Sequence, residues 1–248
     1  MESYIMKRLS VFIIGIAIYL LFLFTVLYGV GFVGNIFVPK GIDDGASSSA
    51  VVALLIDLAL IALFGVQHSL MARPEFKNRW TQVVPKPLER SVYVLAASLS
   101  LLFLFWQWRA ITGYIWNFPS GAMNIALNIL FWVGWIDVVF STFLINHFDL
   151  FGLRQVFLYL RGIDYTPVPF KQPALYNYVR HPLMLAFLVA FWATPQMSIG
   201  HLLFAAGMTI IIFVGIAFEE RDLLKAFGES YDQYRKQVSM LFPMPRKK

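Results

Sequence analysis

Long apolar runs separated by short polar stretches set the architecture of this chain. Residues 10–34, 50–72, 91–108 and 122–145 each come near the ~20 residues that a helix needs to cross hydrocarbon, the third run being the shortest. A later block, residues 183–218, is too long for one crossing. As a helix rising ~1.5 Å per residue it would extend about 54 Å, nearly two bilayer cores of ~30 Å. Pro195 and Gly200 flank "QMSI" near its middle, which predicts a turn and a hairpin of two short or tilted helices. Beyond it, residues 219–243 carry Leu223, Phe227, Tyr231, Tyr234 and Val238 at three- and four-residue spacing. That is one apolar-aromatic stripe on an amphipathic helix, with a bend expected at Gly228. The fold class is therefore all-α: a polytopic membrane helical bundle of about five to six transmembrane helices, with a C-terminal hairpin and a cytoplasmic amphipathic helix. One membrane domain is expected over residues 1–248, with four crossings in 1–145 and a ligand-binding module in 146–248.

Composition agrees and adds orientation. Of 248 residues 59% are hydrophobic and only 14% charged, against about a quarter charged in a soluble domain. The net charge of +6 reads as membrane topology rather than nucleic-acid binding, because its Lys and Arg cluster in alternate loops. Residues 73–90 hold Arg73, Lys77, Arg79, Lys86 and Arg90; residues 146–182 hold Arg154, Arg161, Lys171 and Arg180; the tail holds Arg221, Lys225, Arg235, Lys236, Arg246, Lys247 and Lys248. The intervening loops offer Lys40 beside Asp43 and Asp44, then Arg109, then nothing around Pro195. Six crossings with both termini cytoplasmic satisfy every loop, whereas five leave one basic segment outside. The first apolar run is longer than a signal h-region and lacks a small-residue cleavage site, so it reads as a retained helix. "DDGASSSA", residues 43–50, is a polar turn. Without cysteine there is no disulfide, thiolate nucleophile or zinc–thiolate site.

This topology brings titratable groups to one face. His68 ends the second crossing there, Asn146 and His147 end the fourth, Arg180 and His181 begin the fifth, and Glu219 and Glu220 end the sixth. Any one of these is an ordinary interfacial residue; together they read as a half-buried site. His201 falls at the other end of the hairpin. Asp57 and Asp137 lie deeper, where an ionisable side chain is costly and takes a partner or faces a cavity. Two adjacent glutamates near Arg180 and His181 suit a cationic ligand. No close ligand spacing such as His-x-x-x-His occurs, so no metal site is expected.

"RHP" before the hairpin, followed by E-E-x-x-L-x-x-x-F-G-x-x-Y-x-x-Y, resembles the signature of the isoprenylcysteine carboxyl methyltransferase superfamily of integral membrane enzymes, matched at Glu219, Glu220, Leu223, Phe227, Gly228, Tyr231 and Tyr234. The resemblance covers roughly the last 70 residues. It implies S-adenosyl-L-methionine as co-substrate, and a pocket for it formed by Tyr178, Arg180, His181, Pro182, Glu219 and Glu220. Where that superfamily commonly follows RHP with x-Tyr-x-Gly, this chain has Met184 and Ala186. The segments "FGVQHSLMARPEFK", "PLERSVYVLAASLSLLFLFWQWR" and "INHFDLFGLRQVFLYLRG" are similar to the branch of that superfamily whose members methylate methanethiol to dimethyl sulfide. The resemblance implies a small apolar thiol as substrate, with hydrogen sulfide a further acceptor, and a bacterial inner membrane as the location.

A thiol that is mostly protonated near neutral pH needs a proton acceptor. The candidates are His147, His68 and Asp149, with His147 favoured because Asn146, His147, Asp149 and Arg154 lie within about two turns. Asp149 is expected to orient a histidine or to pair with Arg154, and Arg73 and Arg154 are the candidates for stabilising thiolate. Membrane lipid is the expected surrounding, and a homo-oligomer is open. Two other readings remain: methylation of a prenylcysteine or a phospholipid amine, and a non-enzymatic transporter or accessory protein with Asp57 and Asp137 along its path.

Overall fold

A computed structural model describes residues 2–45, 48–168 and 172–243. Lys171, Arg246, Lys247 and Lys248 lie outside the described residues, as do Ala46 and Ser47 of the expected polar turn. The chain divides into two compact units, Met1–Ile111 with Asn146–Val168, and Thr112–Ile145 with Pro169–Lys248. Among the described residues, five helical stretches are long and apolar enough to cross a membrane: Ile5–Gly34, Ala50–Met71, Lys86–Gln107, Ala122–Ile145 and Ile199–Phe227.

The first unit is built on α1 (Glu2–Gly34), α2 (Ala50–Met71) and α4 (Glu89–Gln107), with the short α3 (Pro74–Trp80) between the last two. Ser49 starts α2 by accepting the Val52 N–H, and Pro74 starts α3, where a missing N–H costs nothing. Aromatic rings join α1 to α4: Phe32 and Phe105 lie 4.6 Å apart, and Tyr28 stacks on Phe105 at 5.7 Å. After residue 145 the chain returns to this unit as α6 (His147–Leu150) and α7 (Leu153–Arg161). Val156 of α7 packs with Val11 and Leu88 in a small buried cluster.

At the far end of this unit the α1–α2 connection closes over α4. The Trp108 indole N–H donates to the Ile42 carbonyl at 3.1 Å. Lys40 Nζ donates to the Trp108 carbonyl at 2.8 Å, while Asp57 Oδ1 accepts the Arg109 N–H at 2.9 Å. One peptide group, between Trp108 and Arg109, is thus held by a cation on its carbonyl and an anion on its amide. This is the partner that the depth of Asp57 demands, since a carboxylate in hydrocarbon must be hydrogen-bonded.

The second unit contains β1 (Tyr114–Asn117), α5 (Ala122–Ile145), α8 (Pro182–Trp192), β2 (Gln196–Ser198), α9 (Ile199–Phe227) and α10 (Glu229–Gln237). The strands form a small antiparallel pair, Tyr114 opposite Ser198 and Asn117 opposite Gln196. Neither was expected from the sequence: each is too short to show an alternation. The hairpin turns where Pro195 predicts it, but its arms are unequal. With 11 residues α8 is about 17 Å long at ~1.5 Å per residue, short of a bilayer core, whereas α9 has 29. Ser198 caps α9 by accepting the His201 N–H, and the buried His201 ring meets the Phe191 carbonyl at 2.9 Å. Glu219 and Glu220 do not end α9 as expected; the helix runs on to Phe227. It stops at Gly228, whose φ of +54° and ψ of −127° suit a residue without a Cβ, and α10 then turns back. Tyr231, Tyr234 and Val238 form the apolar core of this turn with Leu223 and Leu224. Phe227, counted in the expected stripe, is instead exposed, because the break at Gly228 rotates α10 relative to α9.

α5 and α8 cross closely. A Cβ at Gly134 would stand 2.7 Å from the backbone nitrogen of Ala190 and 3.1 Å from the carbonyl oxygen of Ala186. Small residues on facing helices are how membrane helices approach backbone to backbone. Ala186, in the place where the resembled superfamily commonly has glycine, belongs to this contact.

Candidate functional site

The polar groups singled out in the sequence divide between the two units, joined as one quartet in the second and standing as separate contacts in the first. In the second unit the quartet starts from "YVRHP". Residues Ala174–Asn177 form a 3₁₀ turn, and Val179 then runs beside Ser239 as an isolated parallel bridge. The Arg180 N–H donates to the Ser239 carbonyl at 2.8 Å and the His181 N–H to the Met240 carbonyl at 3.1 Å. Pro182 follows as the first residue of α8, and His181 is left at the helix threshold. Strand-like pairing with the segment beyond α10 therefore fixes the two side chains before α8 begins.

Those side chains meet the two glutamates. Arg180 Nε and Nη2 lie 2.8 and 2.7 Å from Glu220 Oε1, and Nη1 donates to the carbonyls of Arg235 and Val238 at the end of α10. The His181 ring, 5% exposed, has Nε2 3.1 Å from Glu220 Oε1 and Nδ1 3.4 Å from Glu219 Oε2. Successive residues of a helix point about 100° apart, so adjacent glutamates on α9 can hold the ring from two directions. Burial draws the His181 pKa down, but the hydrogen bonds and charge of Glu219, then of Glu220, outweigh it and leave the value above the ordinary 6.5. The Glu220 side chain is 14% exposed and that of Glu219 49%, so one carboxylate is the buried anchor and the other opens outward. Tyr234 donates to the Tyr176 carbonyl at 2.7 Å and ties α10 to the turn before Arg180. Tyr178 is exposed and Pro182 buried.

In the first unit, Asn146 caps α6 by accepting the Asp149 N–H at 3.2 Å. His147, 8% exposed, has Nε2 2.7 Å from the Tyr19 hydroxyl of α1. Burial holds its pKa below the ordinary value, so the ring is neutral near pH 7. Asp149 pairs with Arg154 at 2.7 Å through one oxygen and accepts the Tyr165 hydroxyl at 3.3 Å through the other. Of its two expected roles, the structure shows the arginine pair. Arg154 also donates to the Thr166 carbonyl and lies over the Tyr165 ring. His68 meets the Tyr93 hydroxyl at 3.0 Å, and Arg73 precedes α3 without a side-chain capping bond, its Nε donating instead to the Ser69 carbonyl. Asp137 is half-buried on α5 of the second unit.

Sequence reasoning missed Tyr19, Tyr93, Tyr165 and Tyr176, and the backbone after α10. A tyrosine in an apolar run has a bland reading, and Tyr19 lies 128 residues from His147, beyond the reach of any local spacing.

The family model described as NnrU protein matches residues 56–219. Among similar proteins are the methanethiol S-methyltransferase of Crocosphaera subtropica, 52% identical over 98% of this chain and 95% of that protein; methanethiol S-methyltransferase 1 of Bradyrhizobium diazoefficiens, 56% identical over 95% and 82%; and the methanethiol S-methyltransferase of Mycobacterium tuberculosis, 52% identical over 98% and 99%. No solved structure matches the chain.

Proposed function

The chain belongs to the NnrU protein family, and from its likeness to methanethiol S-methyltransferases we propose that it methylates methanethiol to dimethyl sulfide, with S-adenosyl-L-methionine as the methyl donor. The observation that carries the reading is the Arg180–His181–Glu219–Glu220 quartet, standing in a chain about half identical to methanethiol S-methyltransferases nearly end to end. Its donor set fits the cofactor. Two carboxylates suit a ligand that carries sulfonium and ammonium charge, and the arginine and histidine keep those carboxylates paired and aimed. The cofactor supplies a methyl group on a positive sulfur. Arg180 holds Glu220 in place, Glu219 presents its open carboxylate, and the Tyr234 hydroxyl braces the turn that carries Tyr178.

Transfer from sulfonium to thiolate converts two charges into two neutral sulfurs, so a water-poor site lowers the barrier. The proton of methanethiol is assigned to His147, supported by its burial and its neutrality near pH 7. Tyr19 fixes that ring. Arg154, paired with Asp149, and Arg73, whose Nε donates to the Ser69 carbonyl, stay the two candidates for stabilising thiolate, and His68, bonded to Tyr93, the second choice of proton acceptor.

The test is a headspace assay on purified protein given S-adenosyl-L-methionine and methanethiol. Dimethyl sulfide should form in proportion to enzyme and vanish in the His181→Ala protein. Cofactor binding with no dimethyl sulfide would discard the substrate, and turnover of a prenylcysteine instead would favour the lipid-like acceptor.

The basic loops support a cytoplasmic location for both termini and residues 73–90. Since the chain has no cysteine, single replacements report directly. Val83→Cys, at an exposed position, should react with an impermeant maleimide only after cells are opened, and Phe37→Cys, also exposed, should react in intact cells. The reverse pattern would invert the orientation.

A further inference from the structure

His181 sits between two carboxylates with one ring nitrogen toward each, Nδ1 to Glu219 at 3.4 Å and Nε2 to Glu220 at 3.1 Å. A neutral imidazole carries one N–H, and its other nitrogen presents a lone pair. Facing that lone pair toward a carboxylate oxygen is repulsive, so both contacts are attractive only when the ring holds two protons. The geometry itself therefore describes an imidazolium. Glu220 Oε1 is shared between this ring and Arg180. The quartet then contains two cationic and two anionic side chains and is neutral. A neutral, internally paired set has little left to offer a cation. Removing one proton leaves a net charge of −1, with the half-exposed Glu219 as its open end.

We infer, on the footing of the proposed function, that S-adenosyl-L-methionine exchanges with a proton at this quartet: its net positive charge replaces the imidazolium charge beside Glu219, and the His181 proton leaves to solvent. No bond other than N–H breaks, and the total charge of the site is unchanged.

The surroundings single out His181 as the group that releases the proton. Among the described residues, the titratable groups around His181 are Glu219 and Glu220 of α9, Tyr231 and Tyr234 of α10, Tyr176 of the 3₁₀ turn, and Arg180 beside the ring. Burial first, then the nearby glutamates, holds the Tyr231 phenol well above its usual range; burial, then Glu219, does the same for Tyr176. Burial pushes Tyr234 up to about 12, against the opposing charge of Arg180. All three stay protonated near neutral pH. His181, with its pKa raised by the glutamates against the pull of burial, is the group that changes charge in that range. Because the proton is held in the ligand-free protein and released on binding, cofactor affinity rises with pH. The rise is at most tenfold per unit below the ligand-free pKa of His181 and levels off above it.

The measurement is isothermal titration of the full chain in detergent with S-adenosyl-L-methionine, near pH ~6.5, in phosphate and in bis-Tris, whose protonation enthalpies differ widely. The apparent enthalpies should differ by that gap multiplied by a release approaching one proton per cofactor bound. S-adenosyl-L-homocysteine, which lacks the sulfonium charge, should release fewer, and the His181→Gln protein none. Binding of S-adenosyl-L-methionine with the same enthalpy in both buffers would overturn the exchange and leave the proposed function standing. Absence of binding by both compounds would overturn the function and the exchange together.

Discussion

Replacing Glu220 with glutamine should remove cofactor binding while the helices remain. The Glu220 carboxylate accepts Arg180 through Nε and Nη2 and the His181 ring through Nε2, all at Oε1. The three side chains are 14% or less exposed, so water cannot step in as a substitute. An amide still has one carbonyl oxygen, enough for Arg180, but its NH2 group has nothing to accept from it at the imidazolium. Deleting one partner of a buried ion pair costs about 3–5 kcal/mol, because a charge is left without compensation. The quartet also becomes net positive, which repels a cationic cofactor and lets His181 shed its proton at lower pH. Affinity for S-adenosyl-L-methionine should fall at least ~100-fold, about 2.7 kcal/mol by the affinity scale, and dimethyl sulfide formation should fall with it. Far-ultraviolet circular dichroism should change little. Asp232→Asn is the control: that carboxylate pairs with Arg235 and Lys236 on the surface of α10, where an ion pair contributes little. A Glu220→Gln protein that binds the cofactor as tightly as the parent would remove the quartet from the site.

Gly134→Leu should unseat α8 and, with it, the threshold that carries Arg180 and His181. The atoms that a Cβ at position 134 would strike are the nitrogen and Cα of Ala190, at 2.7 and 3.0 Å, and the carbonyl oxygen of Ala186, at 3.1 Å. None belongs to a flexible side chain, so relief requires moving a helix. That motion would also part Trp135 from Phe187 and Phe191, whose rings lie 6.0 Å from it in edge contacts. Overpacking a core costs about 1–3 kcal/mol and sometimes more; with backbone on the far side, the upper end applies. The expected outcome is a thermal transition in detergent lowered by several degrees and weakened binding of S-adenosyl-L-homocysteine. Gly215→Leu provides the contrast, since nothing lies within 4 Å of a Cβ at that position of α9. Equal losses from both replacements would show that the α5–α8 contact has no special weight.

The membrane class, the positions of the long helices and the turn near Pro195 were legible in the sequence. Each depends on a local property: hydropathy over some twenty residues, or a proline at a fixed place. The break at Gly228 was legible for the same reason. The likeness of the RHP and E-E motifs also pointed to Arg180, His181, Glu219 and Glu220 as one group, although 39 residues separate His181 from Glu220. The length of the second hairpin arm was not legible, because α9 continues past the apolar run, through Glu219 and Glu220 to Phe227.

What the sequence by itself determined is therefore the kind of molecule, its long apolar helices and the identity of one charged quartet, since composition and motif are properties of short stretches of chain. Only the tertiary structure decided who partners whom. Asp149 goes to Arg154 rather than to a histidine, His147 to Tyr19, Asp57 to the Arg109 amide, and Phe227 falls outside the stripe that Tyr231 and Tyr234 bury. The physical reason is common to these cases. A buried polar group must find a partner, and several candidates satisfy the same need equally well on paper. The choice among them is made by which backbones can approach, at Gly134 against Ala190 and at residues 179–181 beside 239–240.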